Sequence, residues 1–120
     1  MVLVDTSVWI AHFRKGSPGL AHLLDEGQVV CHPFVIGELA CGNLRNRRDI
    51  LELLTTLYTC QVATHVEALH FLETRCLMGT GLGYIDVHLL ASAMLSRVPL
   101  WTLDRKLRKA SSRLGIAYEG

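Results

Sequence analysis

The feature that most constrains this chain is the regular exchange of short apolar runs with helical stretches along its whole length. Val2-Leu3-Val4 is a brief apolar run with β-branched ends, the pattern of a strand covered on both faces. Thr6-Ser7 can cap a helix reaching about Phe13, Gly16-Ser17-Pro18 reads as a turn, and a second helix covers about Gly19 to Asp25. Val29-Val30-Cys31 is the next strand. Pro33 suits the first turn of a helix over Phe34 to Cys41, closed by Gly42-Asn43. Further helices are predicted at about Arg47–Leu57, His65–Met78, Tyr84–Ser96 and Arg105–Leu114, with strands at Cys60–Ala63, Leu100–Leu103 and Ile116–Tyr118. Parallel strands need crossover helices, and these cover both sheet faces. The expected fold class is therefore α/β, a three-layer sandwich around a mainly parallel central sheet.

Residues 1–120 read as one domain, without repeat or linker, and long enough to bury a core unaided. Twelve Lys+Arg against eleven Asp+Glu leave a formal charge of +1, so any nucleic-acid contact must come from a local patch. Met1–Val4 runs straight into Asp5 with no export leader. The apolar stretch Tyr84–Leu95 is interrupted by Asp86, His88 and Ser92 and is too short to span a bilayer. A cytoplasmic protein with no membrane partner is expected. Cys31, Cys41, Cys60 and Cys76 are widely spaced without a C-x-x-C pair, which argues against zinc and for buried, reduced thiols.

Four carboxylates stand in unusual places. Asp5 and Asp104 each follow a predicted strand directly, and ligands of open α/β sheets bind beyond the carboxyl ends of strands. Taken singly, each also suits an N-cap. Glu38 lies in Phe34–Cys41, a helix apolar nearly all round. Such a helix is usually buried, and a buried Glu is rare unless paired or metal-bound. The alternative is an edge position reaching water. Asp86 shares a helical stripe with Leu89, Leu90 and Ala93 and sits in the first helical turn, where the dipole favours a negative charge even at the surface. If all four converge, each pair ~4 Å apart repels by about 4 kcal/mol at an effective dielectric of 20, so a cation is required. Hard oxygen donors without nearby His or Cys select Mg²⁺ or Mn²⁺, and the fitting chemistry is phosphodiester hydrolysis by a metal-activated water.

The runs Val2-Leu3-Val4-Asp5-Thr6-Ser7-Val8-Trp9-Ile10, Gly37-Glu38-Leu39-Ala40-Cys41-Gly42, Gly83-Tyr84-Ile85-Asp86-Val87-His88 and Leu100-Trp101-Thr102-Leu103-Asp104-Arg105 follow one another in order. Together they resemble the PIN-domain ribonucleases, most of all the VapC toxins of type II toxin–antitoxin pairs. The resemblance covers essentially the whole chain. It implies a Rossmann-like sheet and a Mg²⁺- or Mn²⁺-dependent endoribonuclease that is homodimeric and neutralised by a cognate VapB-type antitoxin. It also implies that Asp5, Glu38, Asp86 and Asp104 form the acidic quartet, with Thr6, Ser7 and Thr102 as supporting polar residues. This chain carries Ala11 where many relatives have a further acid.

The last predicted helix offers the best basic patch. Arg105, Lys106, Arg108, Lys109 and Arg113 flank an apolar stripe of Leu107, Ala110 and Leu114, beginning beside Asp104. Arg105, Lys106, Arg108 and Lys109 are the expected RNA contacts. Arg45, Arg47 and Arg48 form a second cluster, and both clusters also suit a plain solvated face. The six histidines show no ligand spacing and are expected in structural or surface roles; Trp9 and Trp101 are expected in the core or at a dimer contact. An aspartyl-phosphate phosphatase would want an acid where Ser7 stands, and a receiver module would want paired acids where Asp5-Thr6 stands. A non-catalytic PIN-fold subunit binding RNA or protein is the remaining alternative.

Overall fold

A computed structural model describes residues 1–119. The strands are β1 (Val2–Val4), β2 (Val29–Cys31), β3 (Tyr58–Thr59) and β4 (Leu100–Trp101). All pair in parallel, in the order β3-β2-β1-β4. The helices are α1 (Thr6–Lys15), α2 (Pro18–Asp25), α3 (Pro33–Cys41), α4 (Arg47–Thr56), α5 (His65–Thr74), α6 (Tyr84–Ser96) and α7 (Arg105–Arg113). β1 is central. Leu3 pairs with Val30 on one side and Leu100 on the other, and Leu3 and Val4 have no exposed surface. A strand walled on both faces has no solvent side, so its residues are apolar without alternation. Trp9, Leu20, Leu39, Leu54, Leu89, Leu90 and Leu107 bring six helices onto the same core.

Four predicted boundaries move, each because side chains or tertiary contacts claim backbone groups. The strand expected at Cys60–Ala63 lies earlier, at Tyr58–Thr59. Cys60 N–H still donates to Cys31 O, but Gln61 and Ala63 donate to the hydroxyls of Ser96 and Ser92, fastening this stretch to α6 instead of a strand. β4 ends at Trp101, not Leu103, because Leu103 N–H and Asp104 N–H donate to the hydroxyls of Ser7 and Thr102. Ile116–Tyr118 contributes a single parallel bridge, Ala117 opposite Leu100. The helix expected to reach Met78 stops at Thr74. Cys76 takes a left-handed conformation (φ 54°), and Cys76 and Leu77 donate to Glu73 O and Leu72 O, a Schellman closure that turns Leu77 into the core.

The cysteines also depart from expectation. Cys31 and Cys60 are buried, but Cys41 and Cys76 are exposed, and all four are free thiols. Burial pushes the Cys31 thiol up to about 12, with the nearby Cys60 adding to the effect. Burial likewise raises Cys60 to about 11, against hydrogen bonds from its own backbone and Ser92. No helix among the described residues is long and apolar enough to cross a membrane.

Candidate active site

β1 and β4 are parallel neighbours, so their carboxyl ends open at one edge of the sheet. Asp5 follows β1 and Asp104 follows the short turn after β4, and both reach that edge. Asp5 is 6% exposed. Its Oδ2 accepts hydrogen bonds from Ser7 Oγ (2.9 Å) and Thr102 Oγ1 (2.7 Å). Each hydroxyl has one proton, so both are spent on this oxygen, and the 3.3 Å approach of the two hydroxyl oxygens is held by the carboxylate they share. Each then accepts from the β4–α7 turn, Ser7 Oγ from Leu103 N–H (2.9 Å) and Thr102 Oγ1 from Asp104 N–H (3.0 Å). Asp104 Oδ1 accepts from Leu107 N–H (3.0 Å) and so caps α7. The N-cap expectation thus holds for Asp104, and its carboxylate lies at the same edge as Asp5.

Asp86 enters from the first turn of α6, half-buried, its Oδ2 accepting from Gly83 N–H at 2.9 Å. Burial raises its carboxyl above the ordinary range. The Gly83 amide opposes this, while the charges of Asp5 and Asp104 add to it. Asp86 thus feels the field of Asp5 and Asp104. Glu38, one turn before the end of α3, is exposed, not enclosed as the apolar helix suggested. The edge position holds, because α3 buries only Val35 and Leu39. Its Oε1 accepts from Thr6 Oγ1 at 2.7 Å, which ties it to the residue beside Asp5.

Every one of the four carboxylates thus has one oxygen engaged by the chain and one without a hydrogen-bond partner among the described residues. None is paired with a Lys, Arg or His; the ion pairs among the described residues are Arg48–Glu52 and Arg108–Glu119. No three His, Cys, Asp or Glu side chains there approach closely enough to enclose a metal ion. The acids are anchored on one side, uncompensated in charge, and open on the other. An all-oxygen anionic donor set of this kind suits a hard divalent cation.

The sequence profile of the PIN domain matches residues 2–112. The chain is 45% identical over 118 residues to ribonuclease VapC32 of Mycobacterium tuberculosis, covering 98% of this chain and 95% of that protein. The chain belongs to the PIN-domain family, among the VapC ribonucleases. The fold agrees. A toxin–antitoxin complex from Klebsiella pneumoniae superposes with a TM-score of 0.65 at 19% identity, over 87% of each chain. PAE2754 from Pyrobaculum aerophilum gives 0.63 at 19% identity, over 91% of this chain and 78% of that one.

Around the acids of this PIN domain, the basic residues separate into used and free. In the second basic cluster Arg47 donates to Ala40 O, Arg48 faces Glu52 at 3.9 Å on the exposed surface, and Arg45 lines a cleft with Glu38. On α7, Arg108 turns toward Glu119 (3.6 Å), away from the company of Arg105, Lys106, Lys109 and Arg113. His32 and His88 are buried, and neither ring nitrogen of His88 has a hydrogen-bond partner among the described residues. Nδ1 of His32 accepts from Phe34 N–H and starts α3, and the His88 ring packs edge-on against Phe34 and Tyr84. Burial lowers His32 to about 4, with His88 adding to the effect. Trp9 and Trp101 lie in the core. Sequence reasoning missed the Gly83 amide as the partner of Asp86. The available signal was a glycine three residues before an acid at a helix start, the spacing of a capping box.

Proposed function

We propose that this chain is an endoribonuclease toxin of the VapC kind, hydrolysing RNA phosphodiester bonds at Asp5, Glu38, Asp86 and Asp104, and neutralised by a cognate antitoxin. The observation that carries the reading is the set of carboxylates with one anchored and one free oxygen and no cationic partner. The kinship with ribonuclease VapC32 supports the substrate, and the Klebsiella pneumoniae complex supports the antitoxin.

The free oxygens of Asp5, Asp86 and Asp104 would hold Mg²⁺ or Mn²⁺, with Glu38 completing the negative pocket, and the ion would supply charge neutralisation and a lowered water pKa. Ser7 and Thr102 fix the rotamer of Asp5 and, through the same hydroxyls, the turn that carries Asp104. Thr6 fixes Glu38, whose exposed free oxygen orients the attacking water. In-line attack of that water on phosphorus breaks the bond to the 3′-oxygen, leaving a 5′-phosphate and a 3′-hydroxyl. The α7 cations Arg105, Lys106 and Lys109, on the helix that Asp104 caps, hold the RNA backbone. The reading includes a cytoplasmic homodimer, supported by the exposed apolar side chains Val66 and Leu69 of α5 and Leu95 of α6.

The test is end-mapping of bacterial total RNA incubated with the purified, antitoxin-free protein in Mg²⁺ or Mn²⁺, with EDTA and Asp5→Asn controls. Discrete new 5′-phosphate ends, absent from both controls, are expected. No new ends from folded protein would overturn the reading in favour of a non-catalytic PIN-fold subunit.

A further inference from the structure

α7 packs Leu107, Ala110 and Ser111 inward. One flank of the helix, with the turn after α5, encloses a cleft of about 660 Å³ lined by Leu77, Gly79 and Thr80 from the turn and by Arg105, Lys106, Lys109, Ala110 and Arg113 from the helix. No carboxylate lines it. Arg105, Lys106 and Lys109 have no acidic partner within 4.0 Å among the described residues. Arg113 spends one guanidinium nitrogen on Arg75 O, which pins its head to the end of α5 and leaves its other donors. Four cations of one sign therefore share a concavity with nothing of the other sign to neutralise them.

Two further features shape the cleft. Arg105, Lys109 and Arg113 are spaced i, i+4, i+8, so they form a row rising roughly 6 Å per step along the helix. That pitch is comparable with the separation of successive phosphates in an extended nucleic-acid strand. The row also starts at Arg105, directly after the site residue Asp104. The Lys106 side chain lies against that turn: Gly81 has φ +83°, and a Cβ there would lie 2.9 Å from both Cδ and Nζ of Lys106. Glycine leaves the space in which the Lys106 side chain crosses the turn.

We propose that this cleft is a track for the phosphate backbone of single-stranded RNA, which leads the strand to the carboxylates from the α7 side. Arg105, Lys109 and Arg113 would take successive phosphates, and Lys106 would close over them from the same helix, where its side chain passes Gly81. Such a track reads backbone and not bases, so it supplies affinity and strand direction while sequence choice resides elsewhere. The inference rests on the RNA-cleaving reading of the acidic site.

The experiment measures binding of a fluorescently labelled, short single-stranded RNA by anisotropy in EDTA, where metal-dependent cleavage does not intervene, across about 50 to 200 mM KCl. Each neutralised phosphate contact on a single strand contributes about 0.7 to the slope of log affinity against log salt. Lys109→Gln and Arg113→Gln should each flatten the slope by about that amount, and the double variant by about twice as much. Arg108→Gln removes the same charge from the same helix but from the face toward Glu119, and should leave the slope at its wild-type value. Equal slopes for wild type, Lys109→Gln and Arg113→Gln would overturn the proposal. So would an Arg108→Gln effect as large as theirs, since only net charge would then matter. Loss of antitoxin binding in the cleft variants with an unchanged RNA slope would assign the cleft to an acidic protein and also overturn it. If Arg113→Gln fails to fold, Lys109→Gln and Arg113→Lys carry the test, the latter expected to keep the slope. Failure of the cleavage reading is separable: wild type would then bind RNA with the expected slopes yet leave no new ends when metal is supplied.

Discussion

Replacing Thr102 by Val removes one hydroxyl at nearly constant volume, and that hydroxyl holds two parts of the site together. Thr102 is 2% exposed and Asp5 6%, so water cannot easily take its place. The lost bond is a 2.7 Å hydrogen bond to an ionised carboxylate, and bonds of this class contribute about 1.5–3 kcal/mol. Asp104 N–H also loses its acceptor, but Asp104 is exposed and water compensates much of that. The expected destabilisation is about 2–3 kcal/mol. With an unfolding entropy near 2.1 cal/mol/K per residue, a 120-residue chain gives roughly 0.25 kcal/mol/K, so Tm should fall by about 8–12 °C. Thr102→Ser keeps the hydroxyl and loses one methyl, at about 0.8 kcal/mol, or roughly 3 °C. Calorimetry of the metal-free protein at pH 7 compares the two. Equal unfolding temperatures for the two variants would refute this, because the hydroxyl would then contribute no more than the methyl. Ser7→Ala acts on the same carboxylate oxygen, so the Ser7→Ala/Thr102→Val double variant should depart from additivity by more than 0.5 kcal/mol.

Mg²⁺ or Mn²⁺ should raise the Tm of the wild type in a concentration-dependent way, and Asp86→Asn should lose most of that rise while its metal-free Tm stays level or increases, as repulsion with Asp5 and Asp104 is relieved. An undiminished metal response in a thermal-shift titration would remove Asp86 from the site. Stability should fall on acidification for a reason unconnected with the acids. His32 binds its proton at about 4 when folded and at 6.5 when unfolded, so between those values the unfolded chain holds the extra proton. The contribution is whole above pH 6.5 and is lost toward pH 4, up to about 3 kcal/mol. Urea unfolding at pH 7 and pH 5 should show the fall, and His32→Asn should make it shallower. Native-state alkylation at pH 8, read by mass spectrometry, should modify Cys41 and Cys76 and spare Cys31 and Cys60, whose thiols burial holds at about 12 and 11.

Much of this molecule was legible in its residues because the signals are local. The apolar runs at Val2–Val4 and Val29–Cys31, the proline opening α3 and the helix-starting Asp104 each act over a few neighbours, and each element lies where those neighbours place it. That Asp5 and Asp104 share an edge also followed from sequence, since parallel strands side by side end on the same side. What failed was local reading of groups whose partners are remote. Cys60–Ala63 has strand-like residues, but Ser92 and Ser96 of α6 claim its amides. Residues 75–78 continue a helical pattern, but burial of Leu77 bends the chain away. Glu38 looked enclosed because its helix is apolar nearly all round, whereas α1 and α4 pack on only part of that helix and leave the carboxylate exposed. By itself the sequence determined most of the elements and singled out the four acids as candidates, because both depend on residue type and spacing. Only the tertiary structure decided which oxygen of each acid is held, which of the α7 cations face the cleft, and which cysteines meet water. Those outcomes depend on the surface each side chain shares with residues tens of positions away.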